Sequence, residues 1–207
     1  MEQLADKMVQ MLEERKIIES VQREDYIYAV SCIAQAVVTN GVIFMLSIMY
    51  KTVWETFAFL LFFFGLRKAS GGYHASSFGE CFAESIGCYM GITVLSRYFS
   101  FSQGGCLIVF VLSVLIILVI GSVNLIGNEK NEIEYRLSKI AARKAVLLES
   151  GIIGVMSFLH FSQRMIGYLA LSIILCACSL ILAKRLGQEV KKRDDKRYRT
   201  SFGRKHS

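Results

Sequence analysis

The chain has 207 residues, 54% of them hydrophobic, with a mean hydropathy of +0.45. Its apolar residues come in long blocks rather than in alternation, which excludes an ordinary soluble domain and points to lipid-facing helices. The formal charge of +7 is concentrated at one end, with ten of the 24 Lys and Arg residues beyond Ala183. No aromatic-rich reading motif accompanies that charge, so nucleic acid is not an expected partner and anionic membrane lipid is.

Taken in chain order, residues 1–25 carry Leu4, Met8, Met11, Leu12 and Ile18 on about one helical face, with Glu and Lys elsewhere. This predicts an amphipathic helix lying on a membrane or on a neighbouring part of the protein. No basic, apolar and small-residue sequence of a signal peptide is present there, so the apolar segments themselves carry targeting. Six such segments follow, at 26–49, 53–66, 81–98, 106–126, 145–161 and 165–183. A span needs about 20 apolar residues, so the second is short. The expected fold is all-α, a polytopic membrane bundle of six transmembrane helices plus the N-terminal amphipathic helix. The corresponding division is 1–25 amphipathic helix, 26–183 membrane catalytic domain and 184–207 basic cytoplasmic tail.

Orientation follows from the cations. With the N-terminus cytoplasmic, the inner regions are 1–25, the loop after Leu66, a loop near 127–144, and the tail, which together hold 21 of the 24 basic residues. Lys51, Arg97 and Arg164 fall outside, and Trp54 falls near the outer interface. Both termini inside with an even number of spans satisfies the positive-inside rule. The chain has no proline, so any sharp break comes from glycine, and Gly71, Gly72 and Gly79 cluster in one place.

The cysteines at 32, 81, 88, 106, 176 and 178 have no paired-finger spacing. Cys176 and Cys178 point roughly 200° apart on a helix and cannot share a metal, so no metal or other cofactor is expected. Cys32, Cys106, Cys176 and Cys178 lie in apolar runs and read as small packing residues.

The stretch Arg67-Lys-Ala-Ser-Gly-Gly-Tyr-His-Ala-Ser-Ser-Phe-Gly-Glu-Cys81 stands apart. It places a cation, two glycines, His74 and Cys81 at a cytoplasmic membrane edge. Thiolate and imidazole are a known solution for attacking a peptide carbonyl. On a straight helix the two Cα atoms would be roughly 10 Å apart, too far for direct proton transfer, so the chain must bend near Gly79. Ser77-Phe-Gly-Glu80 is a capping-box pattern, which predicts Ser77 as N-cap and Cys81 in the first turn of the next helix. The positive end of that helix favours a thiolate there.

The motif Arg67-x4-Gly72-Tyr-His74-x6-Cys81, with Gly71 before Gly72, resembles the signature of the accessory gene regulator B (AgrB) family. Those are bacterial membrane endopeptidases of peptide quorum sensing. The likeness extends over nearly the whole chain, from the amphipathic start through six spans to the basic tail. It implies that His74 and Cys81 are the catalytic base and nucleophile, with Arg67, Gly71 and Gly72 in supporting motif positions. One departure follows the fourth span, where family members commonly carry a proline and this chain reads Gly121-Ser-Val-Asn-Leu-Ile-Gly-Asn128.

The resemblance further implies a short amphipathic propeptide with an acidic C-terminal tail as substrate. Arg136, Lys139, Arg143 and Lys144 are the candidates for that tail. Cys81 would attack the bond ending the signal segment and hold it as a thioester, ready for closure to a thiolactone or lactone. Either Arg67 or backbone N–H groups at the start of the third span would hold the oxyanion, the latter with the better geometry.

Glu84 shares a helical face with Cys81; it reads more readily as a carboxylate reaching the interface than as the third member of a triad. Cys88 shares that face too, and packing is its expected role. Glu149, just inside the fifth span, is a buried carboxylate in need of a partner. His160 and His206 lie too far along the chain's topology to serve Cys81. Gly151-Ile-Ile-Gly154 suits close helix packing and is a candidate homodimer contact. The rivals are a non-enzymatic membrane scaffold and a peptide exporter. The nearly all-aliphatic fourth span argues against a transport path along it. Absence of His-Glu-x-x-His and Gly-x-Ser-x-Gly disfavours zinc and serine proteases.

Overall fold

A computed structural model describes residues 2–14, 23–71, 78–100, 104–123 and 131–186. Among them there are seven α-helices and no strand: α1 (Glu2–Glu14), α2 (Arg23–Tyr50), α3 (Val53–Ser70), α4 (Phe78–Leu95), α5 (Gly104–Ile120), α6 (Glu132–Phe158) and α7 (Gln163–Arg185). Helices α2 to α7 coincide with the six apolar segments, and α1 with the amphipathic lead. By length and apolarity alone, two helices qualify as membrane spans, Ala29–Tyr50 and Gln163–Arg185; Gly104–Ile120 is apolar but shorter. α3 carries Glu55, Arg67 and Lys68, and α4 carries Glu80 and Glu84, which lowers their apolarity.

The chain divides into two compact units. The first holds α1, α2 and α4 as far as Gly91; the second holds α3 from Trp54, the end of α4 from Ile92, and α5 to α7.

In the first unit α1 packs on α2. Arg23 at the head of α2 reaches two carboxylates of α1, Asp6 at 2.6 Å and Glu13 at 3.5 Å. Asp6, Val9 and Glu13 recur at helical spacing, and Val9 is fully buried on the same stripe. Met11, on the expected apolar face, is 59% exposed. The side chains of Leu4, Met8 and Leu12 on that face lie outside the described residues. Ile18 lies outside the described residues. Near the other end of α2, Thr52 Oγ1 and Tyr89 OH share a buried hydrogen bond at 3.4 Å.

In the second unit α7 packs against both α5 and α6, and α5 against α6. Residues 166–173 of α7 are all buried, so this helix is the unit's core. The end of α4 closes on α7: the Tyr168 hydroxyl donates to Thr93 Oγ1 at 3.0 Å, both groups buried, and its ring meets the edge of Phe59. A Cβ at Gly167 would lie 3.0 Å from the Ser96 carbonyl oxygen and 3.2 Å from its Cα. Backbone cannot move aside as a side chain can. Gly167→Ala is therefore expected to destabilise by about 1–3 kcal/mol, read as a lower thermal midpoint in detergent; an unchanged midpoint would show that α4 and α7 are free to separate.

Three segment boundaries differ from expectation, one being the far end of α5, at Ile120 rather than 126. α3 runs on to Ser70, four residues past the expected end at 66, which relieves the shortness of that segment. The expected loop near 127–144 is helical from Glu132, so α6 begins thirteen residues before 145. The run EIEYRLSKIAARKA consists mostly of good helix formers. The Asn131 amide donates to Glu134 Oε2 at 3.1 Å, and Glu132 pairs with Arg136 one turn on at 3.0 Å. High charge there marks a helix beyond the apolar region, not irregular chain.

Candidate functional site

Cys81 is the fourth residue of α4, in the first turn as the capping pattern predicts, and it is exposed. Ser77, the expected N-cap, lies outside the described residues, as do Gly72 and His74. The first N–H groups of any helix have no acceptor within it, so a sulfur in that turn stands at the positive end of the dipole. The Ser85 hydroxyl donates back to the Cys81 carbonyl at 2.7 Å, which closes the first turns of α4. Glu84 and Cys88 are exposed on the same face as Cys81. The expectation that Cys88 packs is thereby corrected: its side chain is exposed. Of the four cysteines expected to pack, Cys176 is buried, Cys106 intermediate, and Cys32 and Cys178 exposed.

Arg67 is in the second unit, near the end of α3. Its Nη1 donates to Ser179 Oγ on α7, and its guanidinium lies 5.7 Å from the Phe63 ring centroid. These contacts use α3 residues one turn apart to bind α3 to α7, aided by Cys176 Sγ, 3.9 Å from the Phe63 carbonyl. Ser179 as the partner of Arg67 carries no sequence signal, because 112 residues separate them.

α3 ends at Gly71, whose φ of +72° is the left-handed conformation that glycine adopts without strain. The Gly71 amide donates to the Arg67 carbonyl at 2.8 Å, and the Ser70 hydroxyl to the Gly71 carbonyl at 3.3 Å. The helix is thus stopped by a glycine cap. Gly71 has a conformational reason to be there.

The four cations expected to bind an acidic tail all lie on the first half of α6 and differ in their engagements. Arg143 Nε donates to the Leu118 carbonyl at 2.9 Å, capping α5. Lys139 Nζ stands 4.4 Å over the Tyr135 ring. Arg136 holds the exposed pair with Glu132, and Lys144 is exposed.

Glu149 is buried, at 6% exposure, and its Oε2 has no hydrogen-bond partner among the described residues. Its Oε1 faces α3, 3.5 Å from where a Cβ on Gly65 would stand. The structure thus supplies the burial expected of this carboxylate, but no hydrogen-bond partner for its Oε2 among the described residues.

The expected site residues are therefore distributed as follows: Cys81 and Glu84 in the first unit, Arg67, Gly71 and the α6 cations in the second, and His74 with Gly72 outside the described residues.

The model of one family, accessory gene regulator B (AgrB), matches residues 4–182. With nearly the whole chain matched, the protein belongs to the AgrB family. Membership associates it with the membrane and with peptide processing in accessory-gene-regulator quorum sensing. No curated protein and no solved structure matches it.

Proposed function

We propose that this protein is a six-span membrane cysteine endopeptidase that cuts a short quorum-sensing propeptide and passes its signal segment through a Cys81 thioester to a thiolactone or lactone. One observation carries the reading: an exposed thiol in the first turn of α4, inside the family-matched region. The six apolar helices α2–α7 and the inward bias of the cations support a multi-pass protein of the bacterial cell membrane. In that topology both termini and the motif loop are cytoplasmic.

His74 takes the Cys81 proton as Sγ attacks the scissile carbonyl. The oxyanion is held by backbone N–H groups at the start of α4; Arg67 is engaged with Ser179 and Phe63 and serves α3 instead. The C–N bond breaks, the departing amine of the tail receives the proton from His74, and the signal segment stays on Cys81 as a thioester. A thiol or hydroxyl of the same segment then attacks that carbonyl, closing the ring and returning the Cys81 thiol. No external energy source enters, because the thioester conserves the acyl group's reactivity. Ring closure outruns hydrolysis only where water is scarce, as at a bilayer edge. Glu84 lies at the interface beside this chemistry.

The test is incubation of the reconstituted protein with candidate short propeptides, followed by mass analysis. The reading predicts a cyclised signal segment and a free C-terminal tail. A scaffold or an exporter predicts uncut peptide.

Of the α6 cations, Arg136 and Lys144 are the ones exposed to solvent and not engaged with another helix. Replacing both by Gln is expected to slow cleavage of an acidic-tailed propeptide about tenfold at low salt. The deficit should shrink at high salt and vanish for a tail with neutral residues. Equal slowing of both tails would contradict recognition of the acidic segment by these side chains.

A further inference from the structure

α6 uses one side inside the second unit and leaves the opposite side bare. Ala142, Val146, Glu149 and Ile153 form a buried stripe, and α5 and α7 are the helices on which α6 packs. On the other side Ile133, Leu137, Ile140, Lys144 and Leu147 follow one another at alternating steps of four and three residues, and every one of them is exposed. The same alternation continues through Gly151 and Gly154 to Phe158, again exposed throughout. A Cβ at either glycine would meet nothing within 4 Å, so no described part of the chain uses their smallness. Steps averaging about 3.5 residues keep a stripe in line along a helix that winds around a partner.

We propose that this seam is where α6 of a second copy of the chain docks, side by side and in the same direction. Lipid tails cover the apolar half of α6 as well as a helix would. They do not cover Ile133 and Leu137, which are 74% and 60% exposed among the charges that precede the apolar segment. The occupant must match one stripe on both sides of the membrane boundary, and α6 itself carries that stripe. Two copies in one membrane share an orientation, so equivalent positions face each other. The aliphatic side chains of the seam and Phe158 expose on the order of 600 Å² on each copy, close to the roughly 800 Å² that each partner gives to a standard interface. In the lipid-embedded half, association depends on close packing, and Gly151 and Gly154 leave room for the facing backbone.

Lys144 is the single charge in the seam. Its stem packs there while its ammonium reaches water, which leaves it available to an acidic segment. Two lysines face to face cost stability but fix the register. They also oppose closure into larger rings, where more ammonium groups would converge.

The seam is read without any propeptide, so the test is independent of the cleavage chemistry. Ile140→Cys and Leu147→Cys, each in the full chain in membranes, are oxidised with copper phenanthroline. Both are expected to form disulfide-linked dimers about tenfold more than Ala141→Cys and Ile152→Cys, exposed positions to one side of the seam. No native cysteine lies on α6, so the wild-type chain sets the background. Gly151→Leu combined with Gly154→Leu is expected to lower the Leu147→Cys dimer about tenfold, with the thermal midpoint unchanged. Between differently tagged copies, wild type and Lys144→Glu are expected to co-purify about threefold better than either does with itself. Equal disulfide yields on and off the seam, an unaffected yield in the double glycine variant, or no preference for the mixed pair overturns the proposal.

Discussion

Cys81→Ala is expected to abolish propeptide processing, with a loss of roughly 10³-fold or more in kcat, as removal of a covalent nucleophile entails. The loss should come without change in folding, because the side chain is exposed and removing it leaves no cavity. Cys88→Ala supplies the matched control. It lies two turns further along the same exposed face of α4 and should retain activity. Rates measured in membranes at matched protein levels decide the matter. Equal loss in both variants would mean that the thiol face of α4 serves packing or lipid contact rather than attack. Retained activity in Cys81→Ala would remove the covalent mechanism altogether.

His74→Ala is expected to lower the rate by about 10² to 10⁴-fold. General-base assistance accounts for a factor of that size, and the remaining thiol still attacks slowly. Small-molecule imidazole should restore part of the rate in this variant and none in Cys81→Ala. The contrast matters, since a structural histidine would not be replaced by a free base in solution. Failure of rescue together with a lowered thermal midpoint would return His74 to a packing role.

Much of the architecture is legible in the amino-acid sequence because lipid-facing helices announce themselves as apolar blocks. α2, α4, α5 and α7 begin and end within a few residues of those blocks, apart from the far end of α5. That end comes at Gly121 rather than 126, since a glycine cap stops a helix regardless of the apolarity that follows. The first half of α6 was hidden for the opposite reason: its charges read as a loop, although Glu132, Glu134 and Arg136 are what start and stabilise the helix. Periodicity placed Met11 on the apolar face of α1, where it is exposed, and the Arg23 pairings with Asp6 and Glu13 fall on another face of that helix. Cys81 in the first turn of α4 followed from four residues of local pattern. The Arg67–Ser179, Val123–Ser70 and Arg143–Leu118 contacts join residues far apart in sequence, to which no local pattern points.

The burial of Glu149 carries the same lesson. Its place inside an apolar segment was visible, and so was the need for a partner; the closeness of its Oε1 to Gly65 of α3 was not. Its Oε2, like the Ser122 hydroxyl, is buried without a hydrogen-bond partner among the described residues.

The proposed chemistry requires a sulfur that carries an acyl group at one position of α4. Rapid quenching of the working protein with propeptide, digestion, and mass mapping reads this directly. The signal segment is expected on the fragment that contains Cys81, released by hydroxylamine and by added thiol. Product forming while that fragment stays unmodified, or an adduct confined to another cysteine, would contradict it.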